Sequence, residues 1–199
     1  TGSAVSLTSK FDQAANFDGS SSNIQYSSPL IPSTGGFSIS WWMQWSGDTD
    51  YAFLFDTAGG GSANGFYVIA DDNADTLYWN FKNGTGGTNI TVSYPPSERS
   101  VYTHFVITWD GTTSANAAKI YKNGVATSGT QTVTQTTSGQ NFKIGYAGGT
   151  EYFRGRIDQL RIFNTAIDQT AVNSLYAETT ETAATLDFPT GAGCTAAYQ

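Results

Sequence analysis

The chain has 199 residues, of which 13% are charged, 14% aromatic and 39% hydrophobic, with a formal net charge of −7. Its nine Lys and Arg form no basic cluster, which argues against nucleic acid and anionic membranes as partners, since both are held through cationic contacts to phosphate. No run of about 18 apolar residues is present, so membrane insertion is not expected, and a single cysteine, Cys194, allows no disulfide within the chain.

Taken in chain order, the N-terminus "TGSAVSLTSKF" lacks a positive stretch followed by an apolar one, so no signal peptide is expected in it. Short alternating segments then recur: "AANFDG", "NIQYS", "FSISWWMQW", "YAFLFD", "GFYVIAD", "TLYWNFKNG", "TNITVSY", "VYTHFVITWDG", "AAKIYKNGV", "NFKIGYAGG" and "GRIDQLRIFN". Gly, Asn and Asp fill the breaks, as in "DDNAD" and "KNG", where turns need positive φ or side-chain hydrogen bonds. Many short strands at this spacing predict an all-β, antiparallel two-sheet β-sandwich or jelly roll. One short helix is predicted in "TAIDQTAVNSLYAE", where Ile167, Ala171, Val172, Leu175 and Tyr176 recur at helical spacing behind a cap at Asp168 or Thr165. Residues 1–178 form the expected domain. Residues 179–199 read as a linker or docking arm, with a strand for a neighbour as one use.

The strand "FSISWWMQW" sorts its side chains by parity. Phe37, Ile39, Trp41, Met43 and Trp45 share one face, while Ser38, Ser40, Trp42 and Gln44 share the other. Trp42 is thus a large aromatic on an otherwise polar face. Catalytic signals are poor. Glycoside hydrolysis needs two facing carboxylates, and none of the four Glu (Glu98, Glu151, Glu178, Glu181) has a second acid two or four residues away within a strand. His104 is the only histidine, so a nucleophile–base arrangement has little to draw on and no enzyme activity is expected. "DDNAD" matches the first half of a calcium loop, but Thr76 and Lys82 stand where Gly and Glu are required, so an acidic turn is expected. Asp158 in "GRIDQL" is an acid among apolar neighbours and needs a partner, either backbone N–H groups or calcium.

Four stretches in order resemble the laminin-G-like, concanavalin A-like lectin/glucanase jelly-roll family. They are "AANFDGSSSNIQYS", "FSISWW", "YTHFVITWDGTTSANAAKIYKNGV" and "FKIGYAGGTEYFRGRIDQLRIFNTAIDQTAVNSLY", covering roughly residues 14–176. The resemblance implies a jelly roll in which Trp42 and His104 are packing residues. It also implies a structural calcium at Asp158, with help from Asp18. A rim calcium site in such domains uses an acid before the strand matching "GFYVIA", and here Asn64 stands in that place.

Loops at one rim of such a sandwich are the expected binding region. "SGDTDY", "DTAGGGSANG" and "YAGGTEY" are Gly-rich and aromatic-edged, which selects Tyr51, Asp56, Asn64, Tyr146 and Tyr152 as ligand-binding candidates. The function expected is a non-catalytic module for glycan or host-surface polysaccharide. The alternatives are a purely structural decoration module, or a carbohydrate-binding module of a secreted multidomain protein. The tail "ATLDFPTGAGCTAAYQ" resembles junctions in tandem-module structural proteins of tailed phages. That likeness implies a virion or extracellular setting, neighbouring structural proteins as partners, and a homo-oligomer formed through the tail.

Overall fold

Among the described residues, fourteen strands and two helices follow one another in the computed structural model. It describes residues 4–6, 9–11, 13–32, 34–47, 50–59, 64–83, 86–127, 141–179 and 194–198. In chain order the elements begin with β1 (Ala4–Ser6), β2 (Ala14–Asp18), β3 (Ile24–Gln25), β4 (Phe37–Trp45), β5 (Tyr51–Asp56) and β6 (Gly65–Asp71). Next come β7 (Thr76–Asn83), β8 (Gly86–Ser93), α1 (Pro96–Arg99), β9 (Thr103–Trp109), β10 (Ala118–Lys122) and β11 (Val125–Thr127). The last are β12 (Lys143–Ile144), β13 (Arg154–Phe163), α2 (Gln169–Tyr176) and β14 (Cys194–Tyr198).

These form two antiparallel sheets, the sandwich expected from the alternation. The larger runs β1-β2-β13-β4-β9-β10-β11, with β14 also paired to β13, and the smaller runs β3-β12-β5-β6-β7-β8. Each of the eleven alternating segments contributes a strand. The additions are β1, β11, α1 and β14, which are short or made of small residues and carry no clear period. The end of the tail pairs within its own chain, with Leu160 opposite Tyr198. Parts of two expected binding loops (48–49 and 60–63) and most of the tail (180–193) lie outside the described residues.

Parity builds the core. Phe37, Ile39, Trp41, Met43 and Trp45 of β4 point inward and are fully or almost fully buried. They meet aromatic side chains of both sheets: Phe37 stacks on Phe66 at 5.1 Å, and Trp41 meets Phe55 edge-on at 4.9 Å. Burying each such side chain contributes roughly 1.5–3 kcal/mol. Strict alternation fails at two bulges. In β13, Gln159 and Leu160 together oppose Trp41, and Gln159 takes φ 50. That extra residue lets Ile157, Leu160 and Ile162 all enter the core, while Phe163 turns outward beneath α2. In β5 a similar shift turns Phe53 outward and Phe55 inward.

The outer face of the larger sheet is closed. Asp168 caps α2 by accepting the Ala171 N–H at 2.8 Å. Ala171, Val172 and Leu175 of α2 pack on Val106, Tyr121 and Phe163. Trp42 is 4% exposed. His104 at 4.9 Å and Tyr176 at 5.8 Å lie beside its ring, Phe11 meets it edge-on, and Lys10 Nζ sits 4.3 Å from its centroid. Asp158 Oδ2 anchors this N-terminal segment by accepting the backbone N–H groups of Lys10 at 2.9 Å and Phe11 at 3.0 Å. Trp42 is therefore a packing residue under a helix and a strap.

Two outcomes follow from this closed face. Burial, with smaller contributions from Arg161 and Lys10, lowers the His104 pKa from 6.5 to about 3. The folded state thus refuses a proton that the unfolded chain accepts below pH 6.5. The contribution of His104 is fully present above that pH and is lost as pH falls, at ~1.4 kcal/mol per unit. Chemical denaturation at pH 7 and pH 5 is expected to show this loss in the wild type, and a smaller one in His104→Gln. Replacing Asp158 by Ala strands two N–H groups and is expected to cost about 1–3 kcal/mol. The Lys10 and Phe11 amides should then exchange hydrogen faster than in the wild type, while Asp158→Asn, which keeps an acceptor, should retain most of their protection.

Candidate functional site

The outer face of the smaller sheet is built differently. On β6 and β7 the core takes Phe66, Val68, Ala70, Leu77, Trp79 and Phe81. Alternation then sends Tyr67, Ile69, Tyr78 and Asn80 to the other side. Phe53, Ile69 and Ala147 form a small apolar floor there, against which the half-buried Tyr67 and Tyr78 pack. Phe53 and Tyr67 rings lie 5.3 Å apart, and Tyr67 and Tyr78 rings 6.3 Å apart. These rings advance from strand to strand across the sheet rather than along one strand. Burial, helped by the nearby charge of Asp56, pushes the Tyr67 hydroxyl up. Burial pushes Tyr78 up further, with Tyr67, Asp71 and Tyr51 adding to it. Both hydroxyls therefore stay protonated and can donate as well as accept.

A wall rises beside this floor. After β12 the chain turns across β5, where Tyr152 bridges to Phe53 and to Tyr146. The Tyr146 and Tyr152 rings stack 4.6 Å apart and 22° from parallel, each half-buried. Lys143 supports the loop: its Nζ donates to the Ala147 carbonyl at 3.0 Å and lies 3.5 Å from Asp56 Oδ2. Asp56 itself is completely buried, and its Oδ1 accepts the Ala58 N–H at 2.9 Å. Its position suits holding Lys143 rather than reaching out to a ligand.

Of the five residues selected from sequence, Asp56 and Tyr146 lie beside Lys143, and Tyr152 stacks on Tyr146. Tyr51, 46% exposed, starts β5 two residues before Phe53. Asn64 is exposed and directly precedes β6, at the end of the strand rather than along its face. Next to it Gly65, at φ 145, lets the backbone approach the Thr57 carbonyl so closely that a Cβ would lie 2.8 Å from its oxygen. Sequence reasoning passed over Phe53, Tyr67, Tyr78 and Lys143. A signal for the tyrosines was present in "GFYVIAD" and "TLYWNFKN", where each stands on the parity opposite to the core residues.

The two acids assigned to calcium do not fit one site. Asp18 stands opposite Arg154, whereas Asp158 stands opposite Trp42, roughly 13 Å further along β13. Asp18 Oδ1 accepts the N–H groups of Ser20, Ser21 and Ser22, and its Oδ2 accepts the Ser21 hydroxyl at 2.7 Å. The hydroxyl and those amides hold its carboxyl well below the usual range. Asp158 spends one oxygen on the strap, and burial pushes its pKa up, which disfavours the charge that calcium would need. Among the described residues no group of three or more His, Cys, Asp or Glu side chains is placed to hold a metal. "DDNAD" is a hairpin turn between β6 and β7, and its Asp72 and Asp75 pair with Arg99.

One buried pair resembles a nucleophile and its base. Ser40 Oγ lies 2.9 Å from His104 Nε2, but both residues are at most 2% exposed, and His104 Nδ1 has no partner to orient it. Solvent-borne substrate has no route to this pair as it stands.

Among curated proteins, no sequence matches the chain. Solved structures of similar shape include Domain 4 of AbnA, an extracellular arabinanase from Geobacillus stearothermophilus, in complex with arabinotriose. It is 20% identical, with TM-score 0.66, covering 88% of this chain and 82% of that one. The native heptameric SAP-like pentraxin from Limulus polyphemus is 17% identical, with TM-score 0.62 and coverages of 81% and 80%. The binding domain of botulinum neurotoxin DC, solved with rat synaptotagmin II, is 19% identical with TM-score 0.57. The match takes in 71% of this chain but only 35% of that domain. At these identities the likeness establishes the two-sheet architecture. The sequence itself matches a family profile over residues 18–173, from the Asp18 turn to the body of α2, and the chain belongs to the concanavalin A-like lectin/glucanases superfamily.

Proposed function

We propose that the protein is a non-catalytic recognition module that holds a glycan against the outer face of its smaller sheet. The observation that carries this reading is the half-buried Tyr67–Tyr78 floor beside the stacked Tyr146–Tyr152 wall. Tyrosine rings offer apolar faces for the C–H faces of sugar rings, and their protonated hydroxyls exchange hydrogen bonds with sugar hydroxyls. Lys143 adds a cation at the junction of floor and wall. A non-catalytic role is supported by the burial of the sole histidine and by the lack of paired glutamates on any strand. The arabinanase domain of like fold was solved with an oligosaccharide and the neurotoxin domain with a protein; the tyrosine chemistry here favours the sugar. A virion or extracellular setting is part of the proposal and rests on the likeness of the tail residues.

The reading is tested by screening neutral and acidic oligosaccharides on an array, with and without calcium. Binding of at least one glycan is expected. Tyr146→Ala and Tyr67→Ala should each weaken it about tenfold or more, equivalent to roughly 1.4 kcal/mol, with native circular dichroism retained. An array that stays blank for the folded wild type would instead favour a purely structural module.

A further inference from the structure

The tyrosine floor is closed at one end and open at the other. At the β5–β6 end, Ala147 of the loop after β12 is 1% exposed and packs with Phe53 and Ile69, which stand opposite each other on the outer face. The loop is pinned by its own backbone and by Lys143. Gly145 donates its N–H to the Leu54 carbonyl at 2.9 Å and accepts the Phe153 N–H at 3.0 Å, while Lys143 Nζ donates to the Ala147 carbonyl. Gly145 holds φ 77 in a space so tight that a Cβ would stand 2.4 Å from the Phe17 ring. The stacked Tyr146 and Tyr152 belong to this same fixed loop.

At the other end lies β8, which is hydrogen-bonded to β7 and forms the edge of the sheet. Tyr78 stands opposite Thr91 of β8, and Tyr67 stands opposite Asn80, itself opposite Asn89. Asn89, Thr91 and Ser93 share the outer face of β8, are exposed and carry short polar side chains. Asn80 donates its side-chain amide to Asn89 Oδ1, which ties the two strands without raising a barrier. Among the described residues nothing rises over this end as the loop does over the other.

The floor therefore has a direction. From β6 to β8 it spans roughly 10 Å, two strand spacings. A sugar chain that stacks on Tyr67 and then on Tyr78 is led across the strands. Towards β5 it meets Ala147, which already covers the Phe53 and Ile69 side chains that would have continued the stack. Towards β8 it meets short polar side chains that can exchange hydrogen bonds with sugar hydroxyls.

We infer that the floor takes the end of a linear glycan chain: the terminal sugar stops against the Ala147 loop, and the rest of the chain leaves over β8. An interior segment needs both ends open and does not fit. The inference rests on the reading of the protein as a glycan binder, and it adds which part of the glycan is held.

The test is calorimetry on the full chain with linear arabinan, xylan, mannan and amylose, each as trimer, as hexamer and as a polysaccharide of known mean length. In a series that binds, one protein molecule should bind per sugar chain at every length, and the affinity per chain should stay constant from trimer to polysaccharide. Tyr67→Ala should weaken every length about tenfold or more. If circular dichroism shows that variant unfolded, Tyr146→Ala takes its place. Amide shifts at Ala147 and Tyr152 should follow the titration with trimer and hexamer alike. Bound protein that rises in proportion to chain length, yet is still lost in the folded tyrosine variant, overturns the inference and leaves the tyrosine site standing. Binding of none of these glycans by the folded wild type also overturns it, and a blank array beside that result would remove the reading of the protein as well.

Discussion

The bulge at Gln159–Leu160 decides which side chains of β13 face which way, and β13 is the strand on which both halves of the larger sheet depend. Its first half pairs with β2 and its second with β14, while β4 runs along the other side. Before the bulge, Ile157 enters the core and Arg154, Arg156 and Asp158 face out. After it, Leu160 and Ile162 enter and Arg161 faces out, which unbroken alternation would have reversed. The Asp158 anchor before the bulge and the seat of α2 after it thus share one outer face because of one inserted residue held at positive φ.

Closing the outer face of the larger sheet requires partners for the polar groups it buries. Arg161 pairs with Glu178 at 2.8 Å, with both side chains 5% exposed, and Gln159 accepts a second bond from the same guanidinium. A paired, hydrogen-bonded charge is tolerated inside where an isolated one is not. Asp158 Oδ2 is held by backbone amides and Ser38 by the chain around α2, where it donates to the Thr165 carbonyl and accepts the Ile167 N–H. These bonds fix the strap and helix over Trp42.

The smaller sheet carries half-buried tyrosines on its outer side and no comparable polar closure among the described residues. Those rings are already held by Phe53, Ile69 and the neighbouring loop, so a ligand meeting them would order little new structure. Asp56 contributes from beneath by fixing Lys143, a role that its burial, rather than its charge alone, assigns to it.

The strand pattern, the core face of "FSISWWMQW", the Asp168 cap and the family were all legible in the sequence, because period and turn chemistry are local properties of the chain. The packing role of Trp42 was legible only through the resemblance, since parity alone put it on a polar face. Tyr146, Tyr152 and Asp56 could be selected one by one as loop and strand-end residues, but the chain of contacts from Asp56 through Lys143 and Tyr146 to Tyr152 could not. Tyr67 and Tyr78 showed the right parity, yet nothing local says that two strands lie side by side or which of their faces a helix will cover. Asp18 and Asp158 show the same limit in reverse, for four residues of register along β13 separate two acids that a one-dimensional reading joins. Alternation within a strand is set by backbone geometry, and so the sequence determined it; pairing, register and burial arise between distant segments, and only the tertiary structure decided them.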